Sequence, residues 1–265
     1  MKEICRDLEA EYEDLDKLVK GLDETQWGRA VPFGGWTIKD EISHLAYFDR
    51  AAYFSAADLE AFNKNVEEMV EGFVDFDQMH DKVNKEGNDM DPDQLLAWWR
   101  KERGRLLSAY AGLDPKVRLP WYGPPMSARS SATARLMETW AHGQDIADAL
   151  CVIRTPTDRL RHIAHIGVST FTWSFKNRQM DVPETKVRVE LEAPSGARWD
   201  WGPEDAPDRV TGPALDFCLV AVKRRHPGDT TLDIRGKIAS QWMDIIQAFA
   251  GPPEQGPKSG ERVIS

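Results

Sequence analysis

The periodicity of apolar residues changes once along this chain, and that change decides what it can fold into. Up to about residue 176 the apolar positions recur at helical spacing; over 6–22 they are Leu8, Tyr12, Leu15, Leu18, Val19 and Leu22, one face of an amphipathic helix. Beyond Pro183, Val187, Val189 and Leu191 alternate with Arg188, Glu190 and Glu192, the period-2 pattern of a strand. A run of helices followed by a short strand-bearing stretch predicts an α+β fold in two domains. The expected boundaries are an antiparallel helical bundle over 1–180, a small α+β domain over 181–250, and a loose Pro/Gly-rich tail over 251–265.

Local signals refine the helices. Thr37-Ile38-Lys39-Asp40 places an acid three residues after a hydroxyl, a capping box that opens a helix running to about Ala57. Helix is expected over 58–85 with an interruption at Gly72. Asp91-Pro92 starts another, carrying Leu95, Trp98, Trp99 and Leu106 and ending near Gly112, because proline is tolerated in a first turn. Trp98 and Trp99 are expected in the core, one on each of two packing surfaces. The stretch 113–131 holds four prolines and a glycine, too many for a helix, and is read as a long lid or binding loop. Helices follow over 132–150 and 157–176. The second domain is expected to hold strands near 187–191, 198–201, 209–211 and 231–234, with helices over 215–224 and 238–249.

Composition excludes several classes. Ten Trp and ten Phe in 265 residues supply apolar surface for real cores. The net charge of −10 has the wrong sign for nucleic acid or an anionic membrane. No apolar run reaches the roughly 18 residues of a membrane helix, and the acidic N-terminus does not read as a targeting signal. Cys5, Cys151 and Cys218 are scattered and lack a CxxC, which argues against a disulfide framework or a thiolate zinc site. They are expected as small buried hydrophobes in a cytoplasmic protein with no nucleic-acid or membrane partner.

Six histidines offer candidate chemistry. Glu138 and His142 sit four apart, and His162 and His165 three apart, so either pair presents two donors from one side of a helix. With 44 acids and 6 histidines, about one acid–His pair at such a spacing arises by chance. The helical wheel sets Leu136, Trp140, Gly143, Ala147 and Leu150 on one stripe and Glu138, His142 and Asp145 opposite it, which reads as a solvated face. His44 lies away from the stripe of Ile38, Ile42, Leu45 and Ala52 but beside Tyr47, Ala51 and Phe54, so it is expected to be partly enclosed. A buried histidine needs a hydrogen-bond partner or a metal, and a satisfied core histidine is the default reading. No role is expected for His80 or His226.

Two stretches together resemble the signatures of a known family. Gly35-Trp36-Thr37-Ile38-Lys39-Asp40 leading to His44-Leu45, and later Glu138-Thr139-Trp140-Ala141-His142, are similar to those of the mycothiol-dependent maleylpyruvate isomerases, within the DinB-like four-helix bundles. Leu119-Pro120-Trp121-Tyr122 and the run from Gly212 to Trp242 fit the same resemblance, which implies a C-terminal sterol-carrier-like α+β domain. It implies that His44, Glu138 and His142 hold one divalent metal, zinc by preference, with a position left open. It also implies a low-molecular-weight thiol, mycothiol or a relative, activated at that metal for isomerisation of, or S-transfer to, a small electrophile. Arg225 then suits a catalytic contact with an anionic substrate, and Arg224, Trp121 and Tyr122 suit the thiol, although a solvated helix end remains an alternative for one arginine and a plugged bundle end for the aromatics. Asp40 and Asp145 are alternatives for orienting a ligand histidine, against helix capping and solvent respectively; His162 and His165 are reserve ligands. The rival readings are a hydrolase using a metal-activated water and a non-enzymatic metal- or ligand-binding module. Monomer and dimer are both compatible.

Overall fold

The computed structural model describes residues 1–32, 35–71 and 76–262 and divides the chain into two compact units, Met1–Val152 and Ile153–Ser265. The first is built from α1 (Lys2–Val19), α2 (Glu24–Trp27), α3 (Ile38–Ala57), α4 (Leu59–Val70), α5 (Phe76–Asn88), α6 (Pro92–Ala111) and α7 (Ala128–Leu150). Four of these close a bundle: α1 and α3 each pack on both α6 and α7, while α4 and α5 flank α3. The apolar face of α1 goes inward, with Leu8, Tyr12, Leu15 and Val19 fully buried. Trp98 and Trp99 are both buried, as expected.

Caps explain where the helices begin. The Thr37 backbone N–H donates to Asp40 Oδ2 at 2.8 Å and the Asp40 N–H to Thr37 Oγ1 at 3.3 Å, the reciprocal box read from the sequence. Asp91 and Gln94 form the same device ahead of α6, with Pro92 in its first turn. The interruption expected at Gly72 lies outside the described residues. The expected irregular loop of 113–131 contains a small hairpin, β1 (Arg118–Leu119) against antiparallel β2 (Met126–Ser127). Ser127 then caps α7, which starts ahead of the expected 132.

The solvated face expected on α7 is not there. His142 and Asp145 are buried along with Leu136, Trp140 and Ala147, and only Glu138 keeps partial exposure. The reason is packing: α1 and α3 both lie against α7, so polar residues opposite the apolar stripe also face protein.

The second unit contains α8 (Leu160–Ser169), α9 (Phe171–Lys176), β3 (Val187–Glu192), β4 (Arg198–Trp201), β5 (Asp208–Pro213), α10 (Ala214–Ala221), β6 (Asp233–Arg235) and α11 (Lys237–Ile245). Its mixed sheet runs β4-β3-β5-β6, antiparallel at both edges and parallel between β3 and β5; Val189 faces Trp201 on one side and Val210 on the other. Gly236 has φ of +98°, and a Cβ there would lie 2.5 Å from Asp208 Cγ. Glycine lets that carboxylate come in and cap α11, accepting from the Ile238 and Ala239 N–H groups at 2.7 and 2.8 Å.

The dividing line at 152/153 lies ahead of α8 and α9 rather than after them near 180. Those helices belong with the sheet because α8 packs on α10, with Gly167 against Phe217, and Phe171 meets Trp242 with ring centroids 5.3 Å apart. The tail expected to be loose is tied down: Arg178 donates to Glu254 O at 2.6 Å, Gln247 to Pro252 O at 3.0 Å, and Ser259 to Asp229 at 2.7 Å. Residues 263–265 lie outside the described residues. Of the cysteines only Cys218 is buried; Cys5 is half-buried and Cys151 exposed, which corrects the expectation for both. Among the described residues no helix is long and apolar enough to cross a membrane.

Candidate metal centre

α3 carries Glu41 and His44 on adjacent turns of one face, and α7 carries Glu138, His142 and Asp145. Because these two helices pack together, the sets meet inside the bundle. One donor atom each from His44, Glu138 and His142 falls within 4.8 Å of the others. The two imidazole centroids are 4.6 Å apart, and His142 Nε2 lies 3.2 Å from Glu138 Oε2. The triad named from sequence is therefore brought together. Two imidazoles and a carboxylate suit a divalent ion such as zinc, and three ligands leave one position open.

The other nitrogen of His142 is engaged too: Nδ1 hydrogen-bonds to the Glu41 carboxylate, which is fully buried. Burial alone pushes this imidazole down, but the Glu41 and Glu138 carboxylates outweigh it and bring it up to about 9. Without a metal, the two flanking carboxylates favour the protonated form of His142. Glu41, His142 and Asp145, all buried, also bring one donor atom each within 4.8 Å of the others.

Aromatic rings line one side of the cluster. Trp36 stacks on His142 at 6.0 Å and 8°, and lies 5.1 Å from both His44 and His80. Phe48 lies 4.7 Å from His44 and continues the wall to Trp121 and Tyr122, at 6.2 and 6.0 Å. Phe62 stacks on Trp121. The Tyr122 hydroxyl donates to Asn65, whose amide donates to Tyr47 at 2.8 Å, and burial pushes the Tyr122 phenol well up. Both aromatic residues proposed from sequence therefore join a wall that begins at His44.

Other expectations fare differently. Asp40 caps α3 and accepts from Asn88 at 2.8 Å; Glu41 is the carboxylate that meets a candidate ligand histidine. Asp145 is buried rather than in solvent, because α7 is enclosed on that side. His162 is half-buried and His165 exposed on α8, and neither joins a ligand cluster among the described residues. Arg224 and Arg225, just past α10, are only 3% and 6% exposed, so neither is a solvated helix end. Their Nη1 groups donate to Val222 O and Arg224 O, each at 2.7 Å. His226 caps a short turn, accepting from the Gly228 N–H at 3.0 Å. Glu41, Trp36 and His80 are the neighbours of the cluster that sequence reasoning left without a role. For Glu41 the signal was available, since it precedes His44 by three residues on one helical face.

A helical bundle with imidazoles and carboxylates converging between two of its helices, followed by a small α+β unit, defines the class. Residues 8–147 match the family described as mycothiol maleylpyruvate isomerase N-terminal domain, and the chain belongs to that family. Residues 183–233 match a second family, described as wyosine base formation. Two uncharacterised proteins of Mycobacterium tuberculosis, from strains CDC 1551 / Oshkosh and ATCC 25618 / H37Rv, are each 45% identical over 253 residues, covering 94% of this chain and 96% of the relative. Two crystal structures of a mycothiol-dependent maleylpyruvate isomerase, one a point mutant, share the fold. They align with TM-score 0.56 at 17% and 18% identity, over 84% of this chain and 89% of theirs.

Proposed function

We propose that this chain is an enzyme that holds one divalent ion, zinc by its donor chemistry, and activates a small thiol of the mycothiol kind for isomerisation of, or S-transfer to, a small electrophile. The convergence of His44, Glu138 and His142 within 4.8 Å, in a member of this family, carries the reading. An ion with an open position lowers the pKa of a thiol, which is about 8.5 when free.

The chain's own side chains do the rest. Trp36 covers both imidazoles, and Phe48, Trp121 and Tyr122 extend an apolar wall from His44. Such an apolar lining on one side of the cluster favours the body of a thiol at the open position. Trp121 and Tyr122 are assigned to the body of the thiol. Arg224 and Arg225 are assigned, on the family resemblance alone, to anionic groups of thiol and substrate, which arginine grips by charge-assisted hydrogen bonds. The setting is a reducing cytoplasm, which suits a chain whose three cysteines are all free.

Elemental analysis combined with a thiol-binding titration tests the proposal. One zinc per chain is expected, lost in His44→Ala with helical content retained, and thiol binding should require the zinc. Stoichiometric zinc in His44→Ala overturns the ligand set. Hydrolysis without thiol consumption replaces the thiol enzyme with a metal-dependent hydrolase.

A further inference from the structure

His142 stands between two clusters that both have metal-ligand chemistry. Its Nε2 faces Glu138 and, through the same cluster, His44; its Nδ1 faces Glu41, with Asp145 completing the inner set. One neutral imidazole cannot serve both. Whichever nitrogen carries the proton is a donor, and only the other has a lone pair for an ion. The choice of tautomer is therefore the choice of cluster.

Three observations decide it. Glu41 hydrogen-bonds to Nδ1 directly, while Glu138 lies on the Nε2 side with His44. Glu41 is fully buried, and a buried carboxylate demands a donor. The outer set also supplies a second imidazole, whereas the inner set would gather two carboxylates and one ring in the interior, a poorer match to zinc than His₂Glu.

We infer that Glu41 is a positioning residue: it holds the proton of His142 on Nδ1, so that Nε2 presents its lone pair to the outer cluster with His44 and Glu138. The inference rests on the metal reading above and adds to it which cluster is used and what selects it. A carboxylate behind a ligand imidazole also raises its basicity, and loss of such a partner typically weakens metal binding about 10–100-fold. The same arrangement makes Asp145 dispensable for ligation despite its burial next to Glu41 and His142.

The test compares zinc affinity, by chelator competition, in the full-length protein and its His44→Ala, Glu41→Gln, Glu41→Asp and Asp145→Asn variants. It adds the His142 Nδ1–H proton resonance in the zinc-loaded forms. Expected are lost binding in His44→Ala, near-normal binding in Asp145→Asn, and about 10–100-fold weaker binding in Glu41→Gln. The Nδ1–H resonance, far downfield when it donates to a carboxylate, should move upfield in Glu41→Gln. Glu41→Asp, which keeps the charge, should fall between wild type and Glu41→Gln, and it supplies the answer if Glu41→Gln does not fold. Unchanged affinity and an unchanged resonance in Glu41→Gln, with His44→Ala still losing zinc, overturn the role of Glu41 alone. Zinc retained in His44→Ala but lost in both Glu41→Gln and Asp145→Asn places the ion in the inner set and overturns both readings. A wild-type protein that takes up no zinc overturns the metal reading itself, and this inference with it.

Discussion

Asp49 is a buried charge held by three side chains of the bundle. Its fully buried carboxylate accepts from the Tyr12 hydroxyl at 2.6 Å, Arg135 Nε at 2.9 Å and Trp99 Nε1 at 3.2 Å. Burial raises its pKa and Arg135 opposes the rise, so the pair stands on its mutual contact. Arg135 lies one turn before Glu138 on α7, and this network therefore sits beside the candidate ligands. Removing one partner strands the other charge, which costs about 3–5 kcal/mol, whereas replacing both with apolar groups of similar size is often far cheaper. Arg135→Met should lower unfolding stability in urea by about that amount, and the Asp49→Leu/Arg135→Met double variant should recover most of it. A loss under about 1 kcal/mol in Arg135→Met would show that the pair does not hold the bundle. Such a network was not legible in the sequence, because a charged residue at a helical position carries no mark of burial. The same blindness turned His142 and Asp145 into a solvated face. His44 was readable only because aromatic and apolar neighbours surrounded it on the wheel.

At the scale of elements, the caps and the change of period were legible because they depend on neighbours within a few residues. Thr37–Asp40 and Asp91–Gln94 act within one turn, and the starts of α3 and α6 followed from them. The length of α8 was not legible: the expected helix over 157–176 breaks at Thr170 into two. The α3–α5 contact was hidden as well, since it depends on a glycine whose purpose appears only in three dimensions. A Cβ at Gly87 would lie 2.6 Å from Ser43 Cβ, and the Ser43 hydroxyl donates to Asn84 O at 3.0 Å across the same seam. Gly87→Ala gains about 1 kcal/mol of helix propensity but forces α5 off α3, and overpacking of this kind costs about 1–3 kcal/mol. The variant should be less stable in denaturant unfolding despite its better helix former. Because α5 also carries His80 beside Trp36, the Trp36 indole N–H resonance in the folded variant should shift, and its fluorescence with it in a background where the other tryptophans are replaced. Equal or higher stability with an unchanged resonance would mean that α5 tolerates the displacement.

For the whole molecule, one titrating group in each unit links stability to pH, and these two groups act in opposite directions. In the metal-free first unit, His142 titrates at about 9 against 6.5 when unfolded. The native state binds the extra proton, so this contribution is complete below about 6.5 and is lost as pH rises through about 9. In the second unit, burial depresses the Lys223 ammonium to about 8 from 10.5, although it donates to Asp244 O at 2.8 Å. There the unfolded state binds the extra proton, so Lys223 destabilises the unit at neutral pH, and the penalty is relieved as pH rises from about 8 towards 10.5. Between about pH 8 and 9 the two slopes oppose each other. Thermal unfolding of chelator-treated protein at pH 7.5 and 9.5 should show the first unit's transition moving down and the second's moving up. His142→Gln should flatten the first shift and Lys223→Met the second, each leaving the other intact. Parallel shifts in both transitions, or a Lys223→Met variant with an unaltered pH response, would remove these two groups as the source. Zinc adds a separate check on the same imidazole: it must displace the His142 proton to bind, so saturating metal should abolish the first unit's dependence and leave the second unit's untouched.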